Sequence, residues 1–310
     1  MTALLAAVRA GEPRAIGRAI SLVENRSAVL PALARDLAPE RGRSHVIGLT
    51  GAPGVGKSTT TAALVGALRA GGQRVGVLAI DPSSPFSGGA LLGDRVRMQS
   101  HALDPGVYIR SMATRGHLGG LSVAAPQALR VLDAAGFDTV LLETVGVGQS
   151  EIEVAGQADT TLVLLAPGMG DGVQAAKAGI LEIGDIFVVN KSDRDGAQAL
   201  IREIRNMVAL GERPAGAWKP PIVSTVAHEG GGIAELLERI AQFQVAQQAS
   251  GAWTKRRLAR ARLEIEHLVV ARLHAELALE QGAGLEGLAR AVNDGELDPY
   301  AAADQLVRVR

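Results

Sequence analysis

Short apolar, β-branched runs alternate with helical stretches between residues 46 and 243, which predicts an α/β fold with a mostly parallel central sheet flanked by helices. Two observations frame that core. Amphipathic segments before residue 44 predict an N-terminal helical cap, and a long apolar stripe after Gly251 predicts a C-terminal helical arm. The expected divisions are a helical extension over 1–43, an α/β domain over 44–247 and the arm over 248–310.

The composition supports this layout and narrows the function. A chain of 310 residues that is 47% hydrophobic can bury one sizeable core with helical additions. Only 3% of residues are aromatic, so Ala, Val, Leu and Ile must fill the core, and stacking platforms for single-stranded nucleic acid are not expected. Lys+Arg and Asp+Glu balance at 32 each, leaving no basic excess to attract nucleic acid or an anionic membrane. The absence of cysteine excludes disulfides, thiolate metal sites and cysteine nucleophiles. Residues 1–10 lack the organisation of a signal peptide and no apolar run reaches bilayer-spanning length, so a cytoplasmic location is expected.

In chain order, helices are expected over 15–23 and 28–37, punctuated by Gly11, Pro13 and Asn25. Strands are expected over 46–50, 74–80, 107–111, 139–143, 161–166, 186–190 and 222–225; several are apolar on both faces, as buried parallel strands are. The final long helix carries Leu258, Ala261, Ile265, Val269, Leu273 and Leu277 at helical spacing. Packing against the chain's own core and service as a dimerisation arm are both open for that stripe. Arg256, Arg257, Arg260 and Arg262 cluster at the start of this helix and read as a solvated face, with docking of an acidic partner as the alternative.

Gly51-Ala52-Pro53-Gly54-Val55-Gly56-Lys57-Ser58 fits G-x-x-x-x-G-K-[ST], follows the strand at 46–50 and opens a helix through Thr59. The glycines let backbone N–H groups turn inward around phosphates, and the helix N-terminus adds partial positive charge. Lys57 would reach the β- and γ-phosphates and the Ser58 hydroxyl would ligate Mg²⁺. The motif therefore marks a P-loop NTPase.

Asn190-Lys191-Ser192-Asp193 follows the strand at 186–190, at the carboxyl end where ligands of open α/β sheets bind. Asp193 can accept from N1–H and the exocyclic amine of guanine, a donor pair adenine lacks, so GTP is favoured over ATP. A helix cap is the alternative for this tetrapeptide. Thr225, Val226 and Ala227 are candidates to close over the base. Asp81, Asp94 and Glu143 stand at or near strand ends as candidates for the Mg²⁺ environment, Glu143 either holding metal-bound waters or orienting the attacking water. Gly146 permits close approach of a backbone N–H to the terminal phosphate. Glycine-rich 88–93 and 168–172 suit nucleotide-sensing loops, with plain connectors as the alternative.

The motif series G-A-P-G-V-G-K-S-T, D-P-S-S-P, G-G-A-L-L-G-D-R-V-R-M, S-M-A-T-R-G-H-L-G-G-L, E-T-V-G-V-G-Q-S-E and V-V-N-K-S-D resembles the MeaB (ArgK) family over about residues 44 to 240. Ala90 and Thr225-Val226-Ala227 are small departures from its usual pattern. The resemblance implies a homodimeric GTPase that gates adenosylcobalamin delivery to an acyl-CoA mutase, typically methylmalonyl-CoA mutase, and protects that enzyme. It also implies that Asp171 and Lys177 respond to nucleotide and signal to the mutase. Slow, partner-stimulated hydrolysis is expected because no arginine finger is legible. A nickel-delivery GTPase is the metallochaperone alternative; no cysteine and six scattered histidines argue against it. A small-molecule kinase, disfavoured by the guanine motif, and a non-hydrolysing nucleotide-binding scaffold complete the range.

Overall fold

A computed structural model describes residues 1–25, 27–40, 42–82, 101, 103–114, 120–144, 156–168, 183–211, 216–280 and 284–308. Seven strands form one sheet: β1 (His45–Thr50), β2 (Val75–Pro82), β3 (Val107–Thr114), β4 (Thr139–Thr144), β5 (Thr160–Leu165), β6 (Ile186–Asn190) and β7 (Ile222–Thr225). Their order is β3-β2-β4-β1-β5-β6-β7, and every pairing is parallel. All seven predicted strands are present. β2 and β3 run past their predicted ends because they pair with each other as far as Pro82 opposite Thr114.

A parallel sheet buries both faces. On one face Ile47, Leu49, Leu141, Leu162 and Leu164 pack with Leu64, Val65 and Leu68 of α4 (Lys57–Ala70) and with Leu236 and Ile240 of a helix over Ile233–Ala249. On the other, Val46, Leu78, Ile80, Val140 and Leu142 meet α2 (Pro13–Glu24) and α5 (Gly120–Ala134), with α1 (Thr2–Arg9) and α3 (Leu30–Leu37) in the same cluster. Further along this face, Val163, Phe187 and Val189 pack with α6 (Ala197–Leu210). Ile16, Ala19 and Ile20 of α2 are fully buried. Each such isoleucine contributes roughly 1.5–3 kcal/mol by leaving water, so the N-terminal helices are part of the sheet's cover.

The chain divides into two compact units, Met1–Arg260 and Ala261–Arg310. The helix over Ile233–Ala249 is α7 and the long helix over Ala252–Glu280 is α8. Within the second unit, α9 (Gly284–Asn293) packs on α10 (Pro299–Arg308), whose N-terminus is capped by Asp298 accepting from Tyr300 N and Ala301 N at 2.9 and 3.0 Å. Of the predicted stripe on α8, Leu258, Ile265, Val269 and Leu273 are exposed. No helix among the described residues is long and apolar enough to cross a membrane.

The arginines at the start of α8 correct the sequence expectation. Arg256 grips Asp185 with two nitrogens at 2.6 and 2.8 Å. Arg257 holds Asp159 at 2.7 and 2.9 Å, and Arg260 reaches the same carboxylate at 2.6 Å. Only Arg262 of the four is a solvated side chain, paired with Glu266 one turn on at 2.9 Å. Asp159 and Asp185 directly precede β5 and β6, and they also accept from Val46 N and Thr161 N, at 3.0 and 2.8 Å. The root of α8 is thus tied to the amino-terminal edge of the sheet. Burial would push the Asp159 carboxyl up, but the hydrogen bond from Arg257 and the charges of Arg260 and Arg257 outweigh it and hold the group below its ordinary range.

His45 lies in the same cluster, its Nε2 2.8 Å from Thr160 Oγ1 and its ring edge-on to Trp253. Burial lowers its pKa to about 4, against the pull of Asp159 and with help from Arg257. In the unfolded chain the same ring titrates near 6.5, so acid protonates the unfolded state first. Stability should therefore fall as pH drops from about 6.5 to about 4, by roughly 3 kcal/mol, and His45→Gln should flatten that dependence in urea unfolding at several pH values. Asp159→Ala leaves two arginines without their shared carboxylate and should cost about 3 kcal/mol or more in the same assay at neutral pH.

Candidate nucleotide site

The site is built where β1, the strand between β4 and β5, gives out at Thr50. Gly51 has φ 144°, and a Cβ there would stand 2.3 Å from the carbonyl oxygen of Leu164 on β5, so only glycine passes. Gly56 has φ 97° and ends the loop as α4 begins. The amides of Lys57, Ser58 and Thr59 open that helix and so have no acceptor within it. Val55 is buried beneath the loop, whereas Pro53, Gly54 and Thr59 are exposed and Ala52 is half-buried. The Lys57 ammonium curls back inside the loop, donating to the carbonyls of Gly51 and Ala52 at 2.6 and 3.1 Å. Helix-opening amides and one buried ammonium border the same loop, which is the chemistry of a phosphate cradle.

Asn190 ends β6 and joins three segments. Its Nδ2 donates to Val55 O in the phosphate loop at 2.8 Å; its Oδ1 accepts from Thr225 Oγ1 and Ala227 N, both at 3.1 Å. Lys191, at φ 55°, adopts the left-handed conformation that strains a non-glycine residue, and its Nζ donates to Gly54 O at 2.7 Å. Ser192 N donates to Thr225 O at 3.1 Å. Asp193 is exposed at the rim and has no hydrogen-bond partner among the described residues. The N–H groups of Val226 and Ala227 are directed onto Gly231 O and Asn190 Oδ1, so these two amides brace the loop. From the sequence, Thr225, Val226 and Ala227 are expected to close over the base.

Glu143, one residue before the end of β4, lies beside Leu49 of β1 and is 2% exposed. Ser58 Oγ donates to its Oε1 at 2.6 Å and Thr61 Oγ1 to its Oε2 at 2.7 Å. Among the described residues no three His, Cys, Asp or Glu side chains gather into a metal cage. Mg²⁺ bound with a nucleotide takes only one or two protein oxygens, the rest being phosphate and water, and the hard oxygens of Ser58 and Glu143 fit that donor set. Asp81 is the penultimate residue of β2, with its side chain outside the described residues, and Asp94, Gly146, Asp171 and Lys177 also lie outside them.

Sequence reasoning missed Thr61, Asp159 and Asp185. Thr61 was legible only as the residue one turn after Ser58. The two aspartates each stood immediately before an apolar strand, a position where a carboxylate needs partners.

A parallel sheet with a phosphate loop after its central strand, and N-K-x-D two strands away, defines a P-loop protein of the GTPase class. The family described as "Methylmalonyl Co-A mutase-associated GTPase MeaB" matches residues 16–281. A putative GTPase of Pyrococcus horikoshii is 44% identical over 303 residues, covering 97% of this chain and 95% of that protein. GTPase ArgK of Escherichia coli K12 is 39% identical over 251 residues, 79% of this chain and 76% of that one. A crystal structure of LAO/AO transport system kinase superposes with a TM-score of 0.72 at 28% identity, covering 99% and 96% of the two chains. The chain belongs to the MeaB family of methylmalonyl-CoA mutase-associated GTPases.

A methyl group on Gly56 would meet Asn190 Nδ2 at 2.3 Å. Gly56→Ala should therefore break the Asn190 contact to the phosphate loop and lower GDP affinity at least tenfold, measured by calorimetry on protein that still shows a cooperative melt.

Proposed function

We propose that the chain binds GTP with Mg²⁺, hydrolyses it to GDP and phosphate, and uses that cycle to gate adenosylcobalamin delivery to an acyl-CoA mutase such as methylmalonyl-CoA mutase, protecting that enzyme. The observation that carries the reading is the Asn190–Val55 hydrogen bond of 2.8 Å, which locks the N-K-x-D strand end to the phosphate loop. Base recognition and phosphate binding then share one rigid frame. The association with a mutase is supported by the family's name.

In this reading the backbone N–H groups of the loop over 51–59, Pro53 excepted, and the Lys57 ammonium hold the β- and γ-phosphates. Ser58 and Glu143, with Asp81 and Asp94, would hold Mg²⁺, which supplies charge neutralisation at the phosphates when bound. Glu143 keeps Ser58 oriented and is the candidate to order water. Asp193 accepts from the two guanine donors, and Gly146 offers its amide to the terminal phosphate. Asp171 and Lys177 carry the nucleotide state to the mutase. A homodimer held through α8 is supported by its exposed Ile265, Val269 and Leu273, an apolar stripe that a second copy would cover.

Lys57→Ala should abolish tight GTP binding in calorimetry, and Asp193→Asn should weaken GTP by about tenfold to a hundredfold while improving xanthosine triphosphate in a competition assay. Turnover should be slow for the isolated protein and faster with an acyl-CoA mutase; fast turnover alone, or none with any partner, would count against the gating role.

A further inference from the structure

The two oxygens of the buried Glu143 carboxylate are taken by different hydroxyls, and the second belongs to a residue outside the phosphate-loop motif. Oε1 accepts from Ser58 and Oε2 from Thr61, at 2.6 and 2.7 Å. Ser58 and Thr61 are one turn apart on α4, so the helix presents both hydroxyls to the end of β4 at once. Thr61 Oγ1 also lies 3.0 Å from Lys57 O, the usual resting acceptor of a helical threonine. A hydroxyl has one proton, and the shorter, charge-assisted contact to the carboxylate takes it.

The neighbouring Thr60 is an internal comparison. It is equally buried, yet its hydroxyl donates to the backbone carbonyl of Gly56 at 3.0 Å, and no carboxylate is involved.

We infer that Thr61 is a positioning residue for the cation of the nucleotide site: by holding Oε2 it fixes Glu143, so that Oε1 takes the Ser58 proton and Ser58 Oγ offers a hard cation its lone pairs rather than its proton. The inference rests on the reading of the site as one that binds GTP with Mg²⁺. Lys57 O gives Thr61 a second acceptor, so Glu143 can let go of Thr61 without leaving a buried donor unsatisfied. The clamp is firm when closed and cheap to open.

The test is a Mg²⁺ titration of GDP binding by calorimetry on the full chain, with melting curves as a folding control. Thr61→Val should raise the Mg²⁺ concentration for half-maximal effect about tenfold or more, the usual size for loss of a group supporting a metal ligand, with GDP affinity in EDTA unchanged. Thr61→Ser should restore the wild-type requirement. Thr60→Val, which also loses a buried hydroxyl, should keep it. A wild-type Mg²⁺ requirement in Thr61→Val, failure of Thr61→Ser to restore it, or an equal shift in Thr60→Val would overturn the inference. Binding of GDP by the wild-type chain with no Mg²⁺ dependence would instead overturn the underlying reading, and the inference with it.

Discussion

An all-parallel sheet must be covered on both faces, and its strands must all end on one edge; most of this molecule follows from that constraint. Covering the second face takes α1, α2 and α3 as well as α5 and α6, so the N-terminal segment is recruited into the core although nothing in its motifs concerns nucleotides. Ending the strands together places Thr50, Glu143 and Asn190 on one edge, where three separate stretches of sequence meet. β1 lies between β4 and β5, so the loop that leaves it has Glu143 on one side and the β5 carbonyl of Leu164 on the other. Those two neighbours dictate glycine at position 51 and an acid-hydroxyl clamp at 143.

The two edges are then used differently. At the carboxyl edge, polar groups are kept close: a lysine on two loop carbonyls, a carboxylate between two hydroxyls and an exposed aspartate. At the amino edge, carboxylates at the starts of β5 and β6 are saturated by three arginines from the root of α8. Arg256 and Arg257 also lie over the rings of Phe243 and Trp253 at 5.5 and 4.8 Å, within the range of a cation–π contact. Arg256, Arg257 and Arg260 meet Asp159 and Asp185 at the starts of β5 and β6, so these ion pairs use none of the side chains of the phosphate loop.

Legibility in the sequence followed the range of each interaction. All seven strands and the phosphate loop were readable because each is a local pattern: an apolar run of about four to eight residues, or glycines and a lysine at fixed spacing. The arginine cluster was visible, but its partners were not. Arginines massed on one stretch of helix look solvated unless their carboxylates are known, and Asp185 and Asp159 lie 71 and 98 residues away from Arg256 and Arg257 along the chain. The bracing of Ala227 by Asn190 was hidden for a related reason, since the two meet only once β6 and β7 are paired.

By itself, then, the sequence determined the fold class, the strand set, the phosphate loop and the guanine-type tetrapeptide, because these depend on periodicity and on steric demands within a few residues. Tertiary structure alone decided which hydroxyls hold Glu143, which amide Asn190 occupies and where α8 is rooted. Those outcomes depend on strand order and on side-chain directions at positions far apart in the chain. A hydrogen bond of 2.7 Å from Thr61 to Glu143 exists only because α4 crosses back over β4, and no pattern in either segment records it.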